Sequence, residues 1–89
     1  MRLDMFLKTS RMVKTRTDAN RLCSEGRVTV NGMIGKASRA VAVGDVIAVE
    51  TVDVIRSIEV LKIPANKQVS KDEARYLARE TESKSNEPI

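Results

Sequence analysis

The seven residues Gly26-Arg27-Val28-Thr29-Val30-Asn31-Gly32 constrain this chain more than any other segment. Gly26 suits the left-handed backbone conformation that ends a helix. Val28 and Val30 alternate with polar neighbours, the period of a half-buried strand. Asn31-Gly32 tolerates positive φ at both central positions of a two-residue turn, so the chain is expected to reverse there into an antiparallel hairpin. A helix stop, a strand and a reversal this close together point to a small mixed domain with its helices first.

The flanking residues fit that frame. Leu3, Phe6 and Leu7 fall at i, i+3 and i+4 and predict a first helix over about residues 2–10. Met12 and Val13 make a short apolar connection. Thr15 is placed to cap a second helix over about 16–25, with Asp18 in its first turn and Ala19, Leu22 and Cys23 as its buried stripe. Beyond the hairpin, Met33 to Lys36 returns antiparallel, and Ala37 to Val43 is irregular with Val41 and Val43 inward. Gly44-Asp45 turns the chain into a β-branched strand, Val46 to Val49. A longer strand, Val54 to Ile63, is stopped by Pro64 and leaves an edge open to pairing. Ser70-Lys71-Asp72-Glu73 is a capping box, followed by the stripe Ala74, Leu77 and Ala78; Tyr76-Leu77 alternatively begins a final edge strand. Residues 81–89 are polar and are expected to form a frayed tail. The fold class is therefore α+β: two N-terminal helices packed on a small, mostly antiparallel sheet. The expected organisation is a domain over residues 1–63, an extension over 64–80 and a tail over 81–89.

Eighty-nine residues leave no room for a second core. The absence of histidine excludes His-dependent triads and His-ligated metals, and one cysteine cannot form an internal disulfide or a thiolate cluster. No residues have metal-ligand spacing and the glycines are too dispersed for a phosphate loop, so neither metal nor cofactor is expected. Asp4, Asp18 and Glu25 lie among cations and read as caps or ion-pair partners rather than catalytic bases. Cys23 lies on an apolar stripe and reads as a small buried hydrophobe. The chain has no long apolar run for a membrane span and no secretory start, and its cysteine usage suits the cytoplasm. No enzymatic activity and no small-molecule substrate are expected.

Charge is the more informative quantity. Residues 1–44 hold nine Lys or Arg against three Asp or Glu, whereas residues 45–89 hold seven against nine. A basic half of this kind points to a polyanion, with nucleic acid ahead of a membrane surface. Arg2 and Arg11 lie at the two ends of the first helix, Lys14 and Arg16 flank the start of the second, Arg27 enters the hairpin, Lys36 leaves it and Arg39 follows. Phe6 and Tyr76 are the only aromatics, too few to stack successive bases of a single strand, so folded RNA read through phosphates, 2′-hydroxyls and groove shape is the better partner. Helix two offers only Arg16, Asn20 and Arg21 for base edges, too little for sequence-specific DNA binding. A protein-interaction or membrane-surface module is the alternative that charge alone leaves open.

Arg2-Leu3-Asp4-x-Phe6-Leu7, Thr15-Arg16-Thr17-x-Ala19, Gly26-Arg27-Val28-x-Val30-Asn31-Gly32, Lys36-Ala37-Ser38 and Val41-x-x-Gly44-Asp45-x-Ile47 together resemble, in order, the RNA-binding domain named after ribosomal protein S-four. The resemblance covers about residues 1–50. It implies the alpha-L motif, two helices on a small hairpin sheet, and an RNA surface made of Arg2, Lys8, Arg11, Lys14, Arg16 and Arg27, with Asn31 and Lys36 at the hairpin. Asp4, Thr15, Gly26 and Gly32 take supporting roles in that scheme. Compact free-standing members of the family act in ribosome rescue and quality control, and Ser10-Arg11-x-x-Lys14-Thr15-Arg16-Thr17 looks like that subgroup. The resemblance thus implies docking on structured rRNA of the large ribosomal subunit and on tRNA held there, with a general role in ribosome assembly or RNA chaperoning as the alternative. The fifteen-kilodalton heat-shock type would carry a longer basic C-terminal extension; the net acidic tail here favours the shorter type.

Overall fold

Leu3, Phe6 and Leu7 close one side of helix α1 (Leu3–Thr9), and Ala19, Leu22 and Cys23 close one side of α2 (Arg16–Ser24). These two stripes face each other and a sheet in a computed structural model that describes residues 1–65 and 69–85. Thr15 caps α2 as its sequence predicts, its hydroxyl accepting from the Asp18 amide at 3.0 Å. The end of α2 is a Schellman turn: Gly26 at φ 73° donates to the Cys23 carbonyl, and Arg27 donates to that of Leu22.

The start of α1 is secured differently. No side chain caps it; instead the Leu3 and Asp4 amides donate to the carbonyls of Arg39 and Ala37, at 2.8 and 3.2 Å. The loop that looks irregular in sequence is therefore the cap of the first helix, and it carries Lys36 and Arg39 to the entrance of α1.

Strands β1 (Val28–Val30), β2 (Met33–Ile34), β3 (Val46–Glu50), β4 (Val54–Val60) and β5 (Ala78–Ser85) form one antiparallel sheet in the order β2-β1-β3-β4-β5. Asn31 and Gly32, at φ 54° and 84°, make the two-residue turn between β1 and β2. The register aligns Val28 with Val49 and Val30 with Ile47, and Ile47 in turn with Ile58, so one apolar face spans the sheet under the helices. Gly35 sits where this face meets α1. A Cβ there would lie 2.7 Å from Leu3 Cδ2 and 3.0 Å from Val30 Cγ2. Gly35→Ala is expected to lower the unfolding free energy by about 1–3 kcal/mol, as overpacking does; urea titration gives the value.

Several boundaries move. The return strand is only Met33–Ile34, and β4 ends at Val60 instead of running to Ile63. Val43 is exposed because it sits with Gly44, at φ 93°, at the centre of the turn that the Asp45 amide closes on the Ala42 carbonyl; Val41 is buried as expected. The capping box at Ser70 holds, with the Ser70 hydroxyl accepting from the Glu73 amide, but helix α3 is a single turn, Lys71–Ala74. Leu77 is then fully buried against the main core. The expected tail is overturned over 81–85. Those residues continue β5 along β4, and the two strands are cross-linked by Arg56–Glu80 and Arg79–Glu59 ion pairs, so β4 is an inner strand and its expected open edge is covered. A bulge between Ser57 and Ile58 absorbs Thr81, whose hydroxyl donates to the Ser57 carbonyl. Residues 86–89 lie outside the described residues.

Candidate nucleic-acid interface

Asp4 is a fully buried carboxylate in the first turn of α1. Burying it requires partners, and three groups supply them. Oδ1 accepts from the Met5 amide at 2.8 Å and lies 3.3 Å from Arg2 Nε; Oδ2 accepts from Arg16 Nε, also at 3.3 Å. Arg2 precedes α1 and Arg16 opens α2, so one carboxylate clamps an arginine from each helix. Each guanidinium nevertheless keeps nearly half its side chain in solvent, 48% and 45%. The cluster has two positive charges against one negative, with both guanidinium groups half-exposed and already held in place. Such a pair offers phosphate a fixed fork and leaves little side-chain entropy to lose on binding.

The surroundings fit that task. Lys36 and Arg39 are exposed on the loop that caps α1. Met1, Met5, Ile63, Pro64 and Ala65 line a groove beside the two arginines. Lys8, one turn beyond Asp4 on the same side of α1, is exposed, as are Arg11 and Lys14. Lys8, Arg11, Lys14, Lys36 and Arg39 make no ion pair among the described residues.

Two residues of the expected RNA surface are placed elsewhere. Arg27 belongs to a mixed-charge chain, 3.3 Å from Glu25 and 3.9 Å from Glu50, while Arg21 joins Glu25 and Asp18. Those acids neutralise the field around it. Asn31 uses both ends of its amide internally: Nδ2 donates to Asp45 Oδ1 at 3.1 Å, and Oδ1 accepts from the Val46 amide at 2.9 Å. It ties the hairpin tip to the turn before β3, a structural task. Arg39 belongs to the basic pattern of the sequence but not to the RNA surface that the resemblance implies, and the apolar groove belongs to neither. A basic residue shortly after Lys36-Ala37-Ser38 was the available signal for Arg39; the groove depends on residues 60 positions apart and had none.

Cys23 is buried behind this cluster. Burial, with the negative charge of Asp4 added to it, pushes its thiol up, away from the reactive thiolate.

The S4 domain family model matches residues 1–47, the segment that builds the Asp4 clamp and the hairpin. Along its whole length the chain is 40% identical to the RQC P-site tRNA stabilizing factor of Halalkalibacterium halodurans, covering 96% of that protein. The chain belongs to the S4 domain family and, within it, to the RQC P-site tRNA stabilizing factors. The Helicobacter pylori member is 40% identical over 82 residues, which are 91% of this chain and 98% of that one. Among solved structures, Vibrio cholerae Heat Shock Protein 15 superposes with a TM-score of 0.80 at 34% identity, over 91% of this chain and 81% of the other. The hypothetical protein HP1423 superposes with a TM-score of 0.81 at 34% identity, over 92% and 98%. The match to the first of these relatives runs on through the residues of β5, whereas the S4 family model stops at residue 47.

Proposed function

We propose that this chain is a non-catalytic docking module that binds structured rRNA of the large ribosomal subunit and the tRNA held there, and steadies that tRNA during quality control of stalled ribosomes. The observation that carries the reading is the Asp4 clamp: two half-exposed arginines from two helices, fixed by one buried carboxylate. Arg2 and Arg16 are the phosphate contacts, Lys36 and Arg39 flank them, and Lys8, Arg11 and Lys14 extend the positive side of the helices. Met1, Met5 and Ile63 give the arginine pair an apolar border that a ribose or base edge can rest on. Full-length similarity to proteins named for stabilising P-site tRNA supports this choice among RNA-binding roles. The place of action is the cytoplasm. Among the described residues no helix is long and apolar enough to cross a membrane.

Co-sedimentation with purified large subunits, with and without peptidyl-tRNA, tests the reading. Wild type is expected to prefer subunits carrying peptidyl-tRNA. Arg16→Ala, shown to be folded, is expected to bind about tenfold more weakly and to flatten the slope of log affinity against log salt by about 0.7–0.9, the share of one phosphate. Equal binding to empty subunits would move the function to ribosome assembly. No binding by folded protein at any salt would overturn the ribosomal reading.

A further inference from the structure

The helices do not cover the whole sheet. Beyond Ile58 the helix-facing side of β4 and β5 is roofed by the turn after α1 and by α3, and a groove opens between them. Arg11, Arg56, Lys71 and Arg75 line it together with Met12, Ile58, Ala74 and Ala78. Its carboxylate is Glu80, and Arg56 holds that one in a two-pronged pair at 3.1 and 3.4 Å. Asp72 and Glu73, on the same short helix as Lys71, do not line the groove. Arg11, Lys71 and Arg75 make no ion pair among the described residues. Two segments far apart in sequence, the turn after α1 and the short helix α3 with its C-cap, thus bring three cations without an ion pair together beside Met12, Ile58, Ala74 and Ala78.

Arg11 adds a second line of argument. It stands just past α1 at φ 64°, the left-handed position that Gly26 fills after α2. A residue with a Cβ is strained there, and glycine would not be. The turn keeps an arginine at a position where backbone energy favours another residue, as happens where a side chain has a task.

We propose that this groove is a second phosphate-backbone site, so that the chain grips RNA at both ends of α1. The inference rests on the RNA-docking reading above. Arg2 and Arg11 flank α1, nine positions and roughly 13 Å apart at about 1.5 Å per residue, and Lys8 lies between them in sequence and is exposed. The apolar lining is aliphatic, Met12 and Ile58 with two alanines, and the only aromatic nearby in sequence, Tyr76, is not among the residues lining the groove. Backbone contact without base stacking is the mode such a lining fits.

Fluorescence anisotropy over a KCl series tests this with the full chain, using a fluorescein-labelled RNA hairpin of roughly 20 base pairs, longer than the span of a double-stranded RNA domain, and fluorescein-labelled polyglutamate. Lys71→Ala/Arg75→Ala is expected to bind the hairpin about tenfold more weakly, with the salt slope flattened by about 1.5. The same change is expected on top of Arg16→Ala. Arg11→Gly is expected to melt at a higher temperature than wild type and yet bind RNA severalfold more weakly, which separates ligand contact from folding. Unchanged RNA binding in these groove variants, with Arg16→Ala still impaired, would overturn the second site and leave the docking reading standing. Loss of polyglutamate binding with RNA binding intact would overturn it in favour of an acidic protein partner. Failure of wild type to bind RNA would overturn both readings.

Discussion

Arg2→Ala/Arg16→Ala is expected to lower the free energy of unfolding by about 3–5 kcal/mol, and adding Asp4→Ala to that pair is expected to restore about 1–3 kcal/mol of the loss. The order follows from where each charge sits. Asp4 is wholly buried, whereas both arginines are nearly half in water. Removing the guanidinium groups strands an uncompensated carboxylate in the interior. Removing the carboxylate alone leaves two cations that solvent can hydrate, and costs chiefly its hydrogen bonds, about 1–3 kcal/mol. Chemical denaturation of wild type, Asp4→Ala, the double variant and the triple variant closes the cycle. A triple variant no more stable than the double would show that Asp4 does not depend on these two arginines. A residue pair that holds the fold in this way cannot drift without the protein losing stability first.

The second large effect lies at the other end of the chain. Leu77→Ala is expected to cost about 2–5 kcal/mol, the range for a truncated leucine in a packed core. Leu77 is fully buried, and its carbonyl accepts from the amides of Leu61 and Lys62 at 2.8 and 3.2 Å. A loosely attached extension would lose less than about 0.5 kcal/mol from the same substitution. Thermal or urea unfolding followed by circular dichroism distinguishes the two. A single transition shifted as a whole is the expected form, because Leu77 shares one core cluster with Phe6 and Ile47.

These two ends of the chain also mark what could be read from residues alone. The N-terminal half was legible because its signals are local: the Leu3, Phe6 and Leu7 stripe, the Thr15 cap, the Gly26 stop and the Asn31-Gly32 turn each act within a few residues. Arg2 and Arg16 were legible as candidates through charge and motif. Their common attachment to Asp4 was not, since it joins positions 12 apart whose contact depends on how two helices pack. Asn31 shows the opposite case. Its turn-forming role is local and was readable, while its amide bonds to Asp45 and Val46 arise only once β1 and β3 are neighbours. The C-terminal segment misled for a physical reason. Residues 81–89 are polar, and a strand at the margin of a sheet does not need an apolar face; its backbone pairing with β4, together with charge pairs such as Arg79–Glu59, holds it there without any hydrophobic alternation to announce it.

Sheets grow at their margins, where unpaired amides and carbonyls invite another chain. Here one margin, β2, is two residues long, too short to template an addition. The other, β5, places Arg79, Glu80 and Thr81 on the outermost strand, beyond the valines and isoleucines of β4. Charged side chains on an edge strand resist docking of a foreign strand, because ions of either sign would have to be desolvated or brought beside their like. Covering β4 therefore protects the molecule from self-association into fibrils. A small factor that must remain dispersed until it meets its RNA gains from that last strand a resistance to aggregation that its core alone would not provide.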